Sequence, residues 1–533
     1  MSFFRRMVAA GTGVVLAFSS SGMAGAAEAL SAEEERRVTD YVVAEMQALG
    51  VPGAAVAIVR ATDVVFAQGF GVTGVGDERV TAQTPFYIAS VSKSLTALAV
   101  MQLVEAGHLA LSDQLSELLP GLIPDGSEVG MVTVQNLLGH TSGWTEGEGL
   151  TDPVDGDDPS TALQSNVARI VATPLSNPIG VFEYSNANYA LLGYLIEQVS
   201  GEPYGDYMRR RVFEPLGMTH SSAFEAEAIE AGVAAGHYPY FGVVRLHPMW
   251  FRSGEVPAGF LSASAQDLGH FLIAHLNEGR YRDGSVLSSD GINALQRPVV
   301  HPNAWDGYAG GLWMWPLWNA GRLVVDDSGE GAFEVPVMLE HGGSTESYAS
   351  AILLLPEEKL GVVTLLNIND ESVDSLYHQM HLGIANILLG LDPPPTIPLE
   401  GPIYRFGKII ALAVLGLVLV RVGISALRLR RFQRSSPTTA RPSAMIVRHV
   451  VAPMAVDLFL VGATWWFLAA QADAPLTLVR RSVPDIFLTA AVVSVIAIGW
   501  GIARSVLTLR TVAERRATAS FERPDPIPLG AGP

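Results

Sequence analysis

Ser90-Val91-Ser92-Lys93, preceded by Phe86-Tyr87-Ile88-Ala89 and followed by the apolar run Leu95–Ala106, is the stretch around which the chain organises itself. The run predicts a helix that Gly107 ends, with Ser90 at its N-terminus. Lys93 then lies one turn on, on the same face, within reach of Ser90 Oγ. The choice of lysine matters. The chain has three lysines against 31 arginines, and arginine cannot act as a base in a protein, whereas a partly buried lysine can lose its proton near neutral pH. The helix dipole and a dry pocket both favour the neutral amine. The backbone N–H of Ser90 can help to stabilise an oxyanion. Taken alone, Ser-x-x-Lys is equally compatible with ordinary helix capping.

Outward from this stretch, strand signals stand at both ends of a long segment. Ser31-Ala32-Glu33-Glu34 has capping-box form and opens an amphipathic helix that ends near Leu49-Gly50. Gly53–Val59 and Val64–Gly69 are β-rich runs around a turn containing Thr62-Asp63, the pattern of a hairpin. Ser350–Leu355 and Gly361–Asn367 make a second such pair, followed by a helix from about Glu371 to Leu391. The region between is mostly helical and loop-rich, without a βαβ rhythm. The expected fold class is α+β: one antiparallel sheet assembled from both domain ends and flanked by helices, with a helical region inserted. The acidic loop after Trp144 (Glu146, Glu148, Asp152, Asp155, Asp157, Asp158) reads as a solvated loop.

The two ends of the chain predict export and a membrane. Residues 1–26 read as a signal peptide, with Arg5 and Arg6, an apolar run Met7–Phe18 and the small-residue site Ala24-Gly25-Ala26. Cleavage near Ala26 is favoured over an uncleaved anchor. A Pro-rich linker at 392–405 follows the domain at 27–391. Three apolar segments, 406–427, 450–470 and 483–503, each approach the roughly 20 residues of a transmembrane helix. The arginine-rich loop between the first two and the tail at 504–533 are cytoplasmic by the positive-inside rule, which places residues 27–400 outside the cell membrane. Arg421 and Asp457 fall inside the first two segments at similar depth. Because an unpaired charge there is costly, they are expected to form an ion pair joining the helices.

Composition narrows the chemistry. The formal charge of −19 divides into −29 over residues 1–400 and +10 over residues 401–533. An acidic exported part argues against nucleic-acid binding, which needs a basic surface. There is no cysteine, hence no disulfide, thiolate metal site or cysteine nucleophile. The twelve histidines show no metal-ligand spacing. His378 and His381 read as surface histidines, and neither metal nor cofactor is expected. No Gly-x-Ser-x-Gly elbow occurs, which argues against an α/β-hydrolase.

Two later segments give Ser-x-x-Lys its partners. Tyr184-Ser185-Asn186 precedes the apolar helix Tyr189–Val199, and His341-Gly342-Gly343-Ser344 follows the β-rich stretch Val335–Leu339. In this order the three resemble the active-site elements of the serine β-lactamase and penicillin-binding-protein superfamily, nearest to its class C-related esterases and peptidases. Leu137-Leu138-Gly139-His140-Thr141-Ser142-Gly143, Pro215-Leu216-Gly217-Met218 and Pro257-Ala258-Gly259-Phe260-Leu261-Ser262 add to the likeness. It covers roughly residues 35–390 and implies a β-lactamase/DD-peptidase-like fold, with the three transmembrane helices outside it.

The resemblance also implies roles. Ser90 would be the acylated nucleophile and Lys93 its proton acceptor. Tyr184 would act with Lys93 as base, passing the proton to the leaving group and later activating water. Asn186 would hold the substrate's acyl amide or Lys93. The N–H groups of Ser90 and Ser344 would form the oxyanion hole, with Gly342 and Gly343 allowing close backbone approach. His341 stands where the family has a lysine, and is expected to face substrate. Histidine is mostly neutral above its reference pKa of about 6.5, so recognition of a substrate carboxylate should weaken, favouring esters or amides over dedicated β-lactam hydrolysis. His140 is expected to hydrogen-bond its own turn. The reading is a membrane-anchored extracytoplasmic serine hydrolase working through an acyl-enzyme. Its substrate would be peptide-like or an ester, cell-wall peptide included, and its other partner the lipid bilayer. The alternative is a non-catalytic or slowly deacylating β-lactam or muropeptide sensor signalling through the three helices.

Overall fold

Neighbouring residues of strand β1 (Gly53–Arg60) are buried on opposite faces of one sheet. Ala55, Ala57 and Val59 pack into one core, and Ala54, Val56 and Ile58 into another. Burial on both faces is why this strand reads as a continuous apolar run rather than an alternation. The structure is a computed structural model. It describes residues 29–521 except 75, 77, 125, 150–159, 304–305, 318–321, 326–330, 335, 371–373, 396–401, 436–441 and 473–475. The expected signal peptide, part of the linker and four acidic residues of the loop after Trp144 lie outside the described residues.

β1 forms a hairpin with β2 (Asp63–Gly71), and its other edge pairs antiparallel with β7 (Leu360–Leu366). With β3 (Gly307–Tyr308), β4 (Trp313–Pro316), β5 (Val337–Ser344) and β6 (Ala349–Leu355), the sheet runs in the order β2-β1-β7-β6-β5-β4-β3. The two ends of the domain thus meet at the β1–β7 ladder. The α+β architecture expected from the sequence, one antiparallel sheet assembled from both domain ends, is what the chain adopts.

One face carries the N- and C-terminal helices of the domain. Ser31 caps Ala32–Leu49 through a complete capping box, and Gly50 ends it at φ 66°. Val38 and Val42 of this helix and Met380 and Ile384 of Met380–Leu388 cover the same core as Ile58 and Val362. The helix expected over 371–391 is instead two pieces, Asp374–Tyr377 and Met380–Leu388. The interruption frees His378, whose Nε2 lies 3.0 Å from the Gly343 carbonyl, while His381 Nε2 lies 2.7 Å from Glu340 Oε2. Both therefore serve β5 rather than the surface. The other face is packed by Ala265–Leu276, through Leu268, Phe271 and Leu272, and by the inserted helical region that includes Ser92–Glu105 and Asn186–Ser200.

After residue 401 come helices Pro402–Arg434, Ala452–Ala472 and Pro484–Phe521. Three stretches, Lys408–Arg434, Ser443–Trp466 and Pro484–Thr518, are long and apolar enough to cross a membrane. The third helix does not stop near residue 503 but continues to Phe521, into the expected tail. Arg421 Nη2 lies 2.6 Å from Asp457 Oδ1, forming the anticipated pair, and Arg504 of the third helix reaches Asp457 Oδ2 at 3.3 Å. Sequence reasoning missed Arg504, which sits at the end of its segment and gives no sign of facing inward. The bundle docks on the sheet-containing domain where Lys408 meets Asp370 and Asp485, and where the Tyr238 hydroxyl donates to Asp485 at 3.0 Å.

Candidate active site

Ser90 sits in a short 3-10 turn, Ala89–Val91, directly before Ser92–Glu105. Ala89 adopts φ 46°, a left-handed conformation that costs a non-glycine residue about 1–2 kcal/mol. Neighbouring bonds hold it there. The Ile88 N–H donates to Leu261 O at 3.0 Å, the Leu261 N–H donates to Ser92 Oγ at 3.2 Å, and Ser350 Oγ donates to Ile88 O at 2.7 Å. The turn is thus clamped between Pro257–Ser262 and strand β6, with Ser90 half-buried.

Lys93 Nζ lies 2.9 Å from Ser90 Oγ and donates to Ala258 O at 2.6 Å, in a position with no solvent exposure. Burial pulls its pKa down from 10.5 to about 7, against the opposing pull of Glu255 and Glu146. A neutral amine keeps one N–H on Ala258 O and turns its lone pair to Ser90. Glu146, the first acidic residue of the loop after Trp144, therefore acts on the site. Glu148 of that loop is held by the Thr145 N–H at 2.8 Å and the Ser176 hydroxyl at 2.6 Å, so the described part of the loop is anchored rather than merely solvated.

Tyr184 precedes the helix Asn186–Ser200, and its ring centroid is 4.9 Å from Lys93 Nζ. Its hydroxyl reaches the Ser90 side chain, a contact that partly offsets the upward push of burial on its pKa. Asn186 begins the helix, with its buried Oδ1 lacking a hydrogen-bond partner. Gly343 brings β5 against the nucleophile turn: a Cβ there would lie 2.5 Å from Ile88 O and 2.3 Å from Ser350 Oγ. Only glycine permits that approach. β4 pairs with β5 over Val337–Glu340 alone, so His341–Ser344 run beyond that ladder beside Ser90. Ser344 Oγ accepts from Asn369 Nδ2 at 2.6 Å.

The sequence profile of the family described as Beta-lactamase matches residues 38–385. The chain belongs to the beta-lactamase family. Among similar proteins, Penicillin-binding protein 4 of Amycolatopsis lactamdurans is 30% identical over 358 residues, which is 64% of this chain and 87% of that one. Protein flp of Staphylococcus aureus (strain COL) is 27% identical over 366 residues, covering 67% of this chain and 68% of that one. An octameric penicillin-binding protein homologue from Pyrococcus abyssi superposes with TM-score 0.56 at 30% identity, covering 71% of this chain and 81% of that one. The D-alanine carboxypeptidase AmpC from Burkholderia cenocepacia shares the fold at 23% identity and TM-score 0.52, over 67% of this chain and 99% of that one. The superfamily is one of serine hydrolases.

At the third element of this beta-lactamase-family site stands a histidine. His341 is only 2% exposed, and both ring nitrogens are engaged. His140 shows why. Its Nδ1 receives the Ser185 N–H at 3.1 Å, so the neutral ring carries its proton on Nε2 and donates to Tyr308 Oη at 3.2 Å. Tyr308 then gives its own proton to His341 Nε2 at 3.3 Å, and His341 Nδ1–H goes to Gly342 O at 2.6 Å. The relay runs one way and leaves His341 neutral. Burial, aided by the Lys93 charge, lowers its pKa to about 3. The sequence reading has His341 facing substrate; in the structure its ring is buried and bonded to Tyr308 and Gly342. His140 likewise does not bond its own turn with its side chain, but ties that turn to the Tyr184 segment. Tyr308 had no sequence signal, being a lone tyrosine in an irregular stretch. The Ala258 carbonyl lay in a segment noted only for its likeness.

Proposed function

We propose that the chain is a membrane-anchored extracytoplasmic serine hydrolase that acts on amide or ester bonds through an acyl-enzyme. The observation that carries this reading is the Ser90–Lys93 pair, 2.9 Å apart, with the amine pKa brought to about 7 by burial. Neutral Lys93 takes the Ser90 proton as Oγ attacks the substrate carbonyl. Tyr184, in reach of Ser90, relays that proton from Lys93 to the leaving group, and later takes one from the hydrolytic water as it passes its own to Lys93. The N–H groups of Ser90 and Ser344 receive the oxyanion. Asn186 Oδ1, an acceptor without a donor, suits the N–H of an acyl amide, which supports a peptide-like substrate over a simple ester. A neutral, enclosed His341 gives a substrate carboxylate no permanent cation, which speaks against dedicated β-lactam hydrolysis.

The membrane arrangement has its own support. The domain docks at the Lys408 and Asp485 ends of the first and third apolar helices, away from the Arg428–Arg434 end. An exported domain with a cytoplasmic arginine-rich end fits this polarity. The test is labelling of the full chain with a fluorophosphonate or a fluorescent penicillin. Wild type should be labelled and should release the acyl group, and Ser90→Ala should not react. Labelling of Ser90→Ala refutes the nucleophile, whereas a wild-type adduct that never turns over moves the protein to the sensor class.

A further inference from the structure

We propose that the cavity between the arginine-rich ends of the three apolar helices binds the phosphate of an anionic membrane lipid. The inference rests on reading those helices as membrane-spanning. The cavity, of about 1110 Å³, is lined by Arg421, Arg428, Arg431, Arg448 and Arg504. Asp457, shared between Arg421 and Arg504, is the carboxylate that pairs with these residues. Five guanidinium groups against one carboxylate leave an excess of four positive charges. Arg428, Arg431 and Arg448 make no ion pair among the described residues. Arg504 is 6% exposed, with Nη1 on Ser425 Oγ and Nη2 on Asp457 Oδ2, both at 3.3 Å. A phosphate oxygen in the cavity is the acceptor that the guanidinium groups of Arg428, Arg431 and Arg448 fit.

The shape distinguishes a lipid from a free anion. Lys408 marks the domain end of the first helix. At 1.5 Å per residue, Arg421 lies about 20 Å further along that helix and Arg431 about 35 Å, which brackets the far edge of a hydrocarbon layer about 30 Å thick. On the bilayer side of the arginines the cavity wall becomes apolar, through Leu417, Val420 and Val456. A ligand filling it would place charge at the membrane–water boundary and hydrocarbon above. Basic pockets between helices on the cytoplasmic side take anionic headgroups for this reason. A general bias toward arginine on that side would scatter the side chains around the bundle. Here five of them share one concavity.

The test uses the full chain in phosphatidylcholine nanodiscs with and without phosphatidylglycerol, reading retained lipid by native mass spectrometry. Wild type should retain phosphatidylglycerol, and inorganic phosphate should not displace it. Arg428→Gln/Arg431→Gln/Arg448→Gln should weaken retention roughly 100-fold. Arg510→Gln/Arg516→Gln, outside the cavity, should leave it near wild type. Equal loss in both variants overturns the site, since a general surface charge would then suffice. Protection by inorganic phosphate without lipid retention overturns the lipid as ligand. A chain that fails to float with phosphatidylcholine vesicles overturns the membrane reading and the site with it. One that floats but retains no anionic lipid overturns the site alone.

Discussion

Lys408 Nζ lies 3.1 Å from Asp370 Oδ2, joining the first apolar helix to the loop that leaves β7. The same amine lies 2.8 Å from Asp485 Oδ2 at the start of the third helix and donates to Pro239 O at 2.8 Å. All three charged groups are buried. Asp370 follows Asn369, whose Nδ2 holds both Ser344 Oγ and Thr345 O at 2.6 Å. The helix bundle and the end of β5 beside Ser90 are therefore one residue apart along a single loop. Removing the amine should strand two buried carboxylates. Lys408→Met should cost about 3–5 kcal/mol, read as a lower melting temperature of the full chain. Adding Asp485→Asn should recover part of it.

The acid limb of activity should belong to Lys93. Because burial lowers its pKa to about 7, kcat/KM should rise as pH climbs through that value, and hydrolysis should fail below it. Stability follows the same linkage. Between about pH 7 and pH 10.5 the unfolded chain binds a proton that the folded one has lost, so stability rises across that window, and the burial penalty is felt in full below it. Lys93→Met should abolish turnover while raising stability by about 1–3 kcal/mol at pH 7. A variant equally inactive but less stable would contradict this account.

Asn186→Ala tests the substrate class. If Oδ1 receives an acyl N–H, the variant should lose about 10- to 100-fold in kcat/KM on amides and much less on matched esters lacking that N–H. Equal losses on both would place Asn186 in service of Lys93 instead.

Tyr308→Phe removes the hydroxyl between two buried imidazoles and leaves a donor on His140 and an acceptor on His341 unmet. The expected cost is about 1–3 kcal/mol, measured by denaturant titration, with a fall in activity as β5 loosens. His140→Ala should be at least as destabilising, because it also frees the Ser185 N–H.

Gly343→Ala should separate β5 from the nucleophile turn. With its Cβ set 2.5 Å from Ile88 O, the strand must shift, and an acylation rate at least 100-fold lower is expected from the displaced oxyanion donor. Fluorophosphonate labelling kinetics measure this directly.

The parts of the fold legible in the sequence were those decided by local chemistry. Ser31 with Glu34, the turn near Thr62 and the doubly apolar strands each announce themselves within a few residues. Ser90 and Lys93 were legible because three positions along a helix fix their proximity. Tyr308 and Asn369 were not, since each meets its partner only after distant strands pair. His341 was read as substrate-facing because the glycines after it suggested open space. Gly343 instead makes room for the Ile88 carbonyl, and the imidazole turns into the protein. The helix over 371–391 was drawn as continuous because its apolar spacing survives the break at His378.

The enclosed His341 also bears on how a catalytic cycle would end. Hydrolysis creates a carboxylate where the substrate had a neutral carbonyl. With a neutral ring at the third element, already bonded to Tyr308 and Gly342, the nascent acid meets Lys93 as the nearest amine, and Glu146 and Glu255 lie close enough to act on that amine. The site has little with which to retain an anion, so product should leave readily and inhibit weakly, and turnover should persist as acid accumulates.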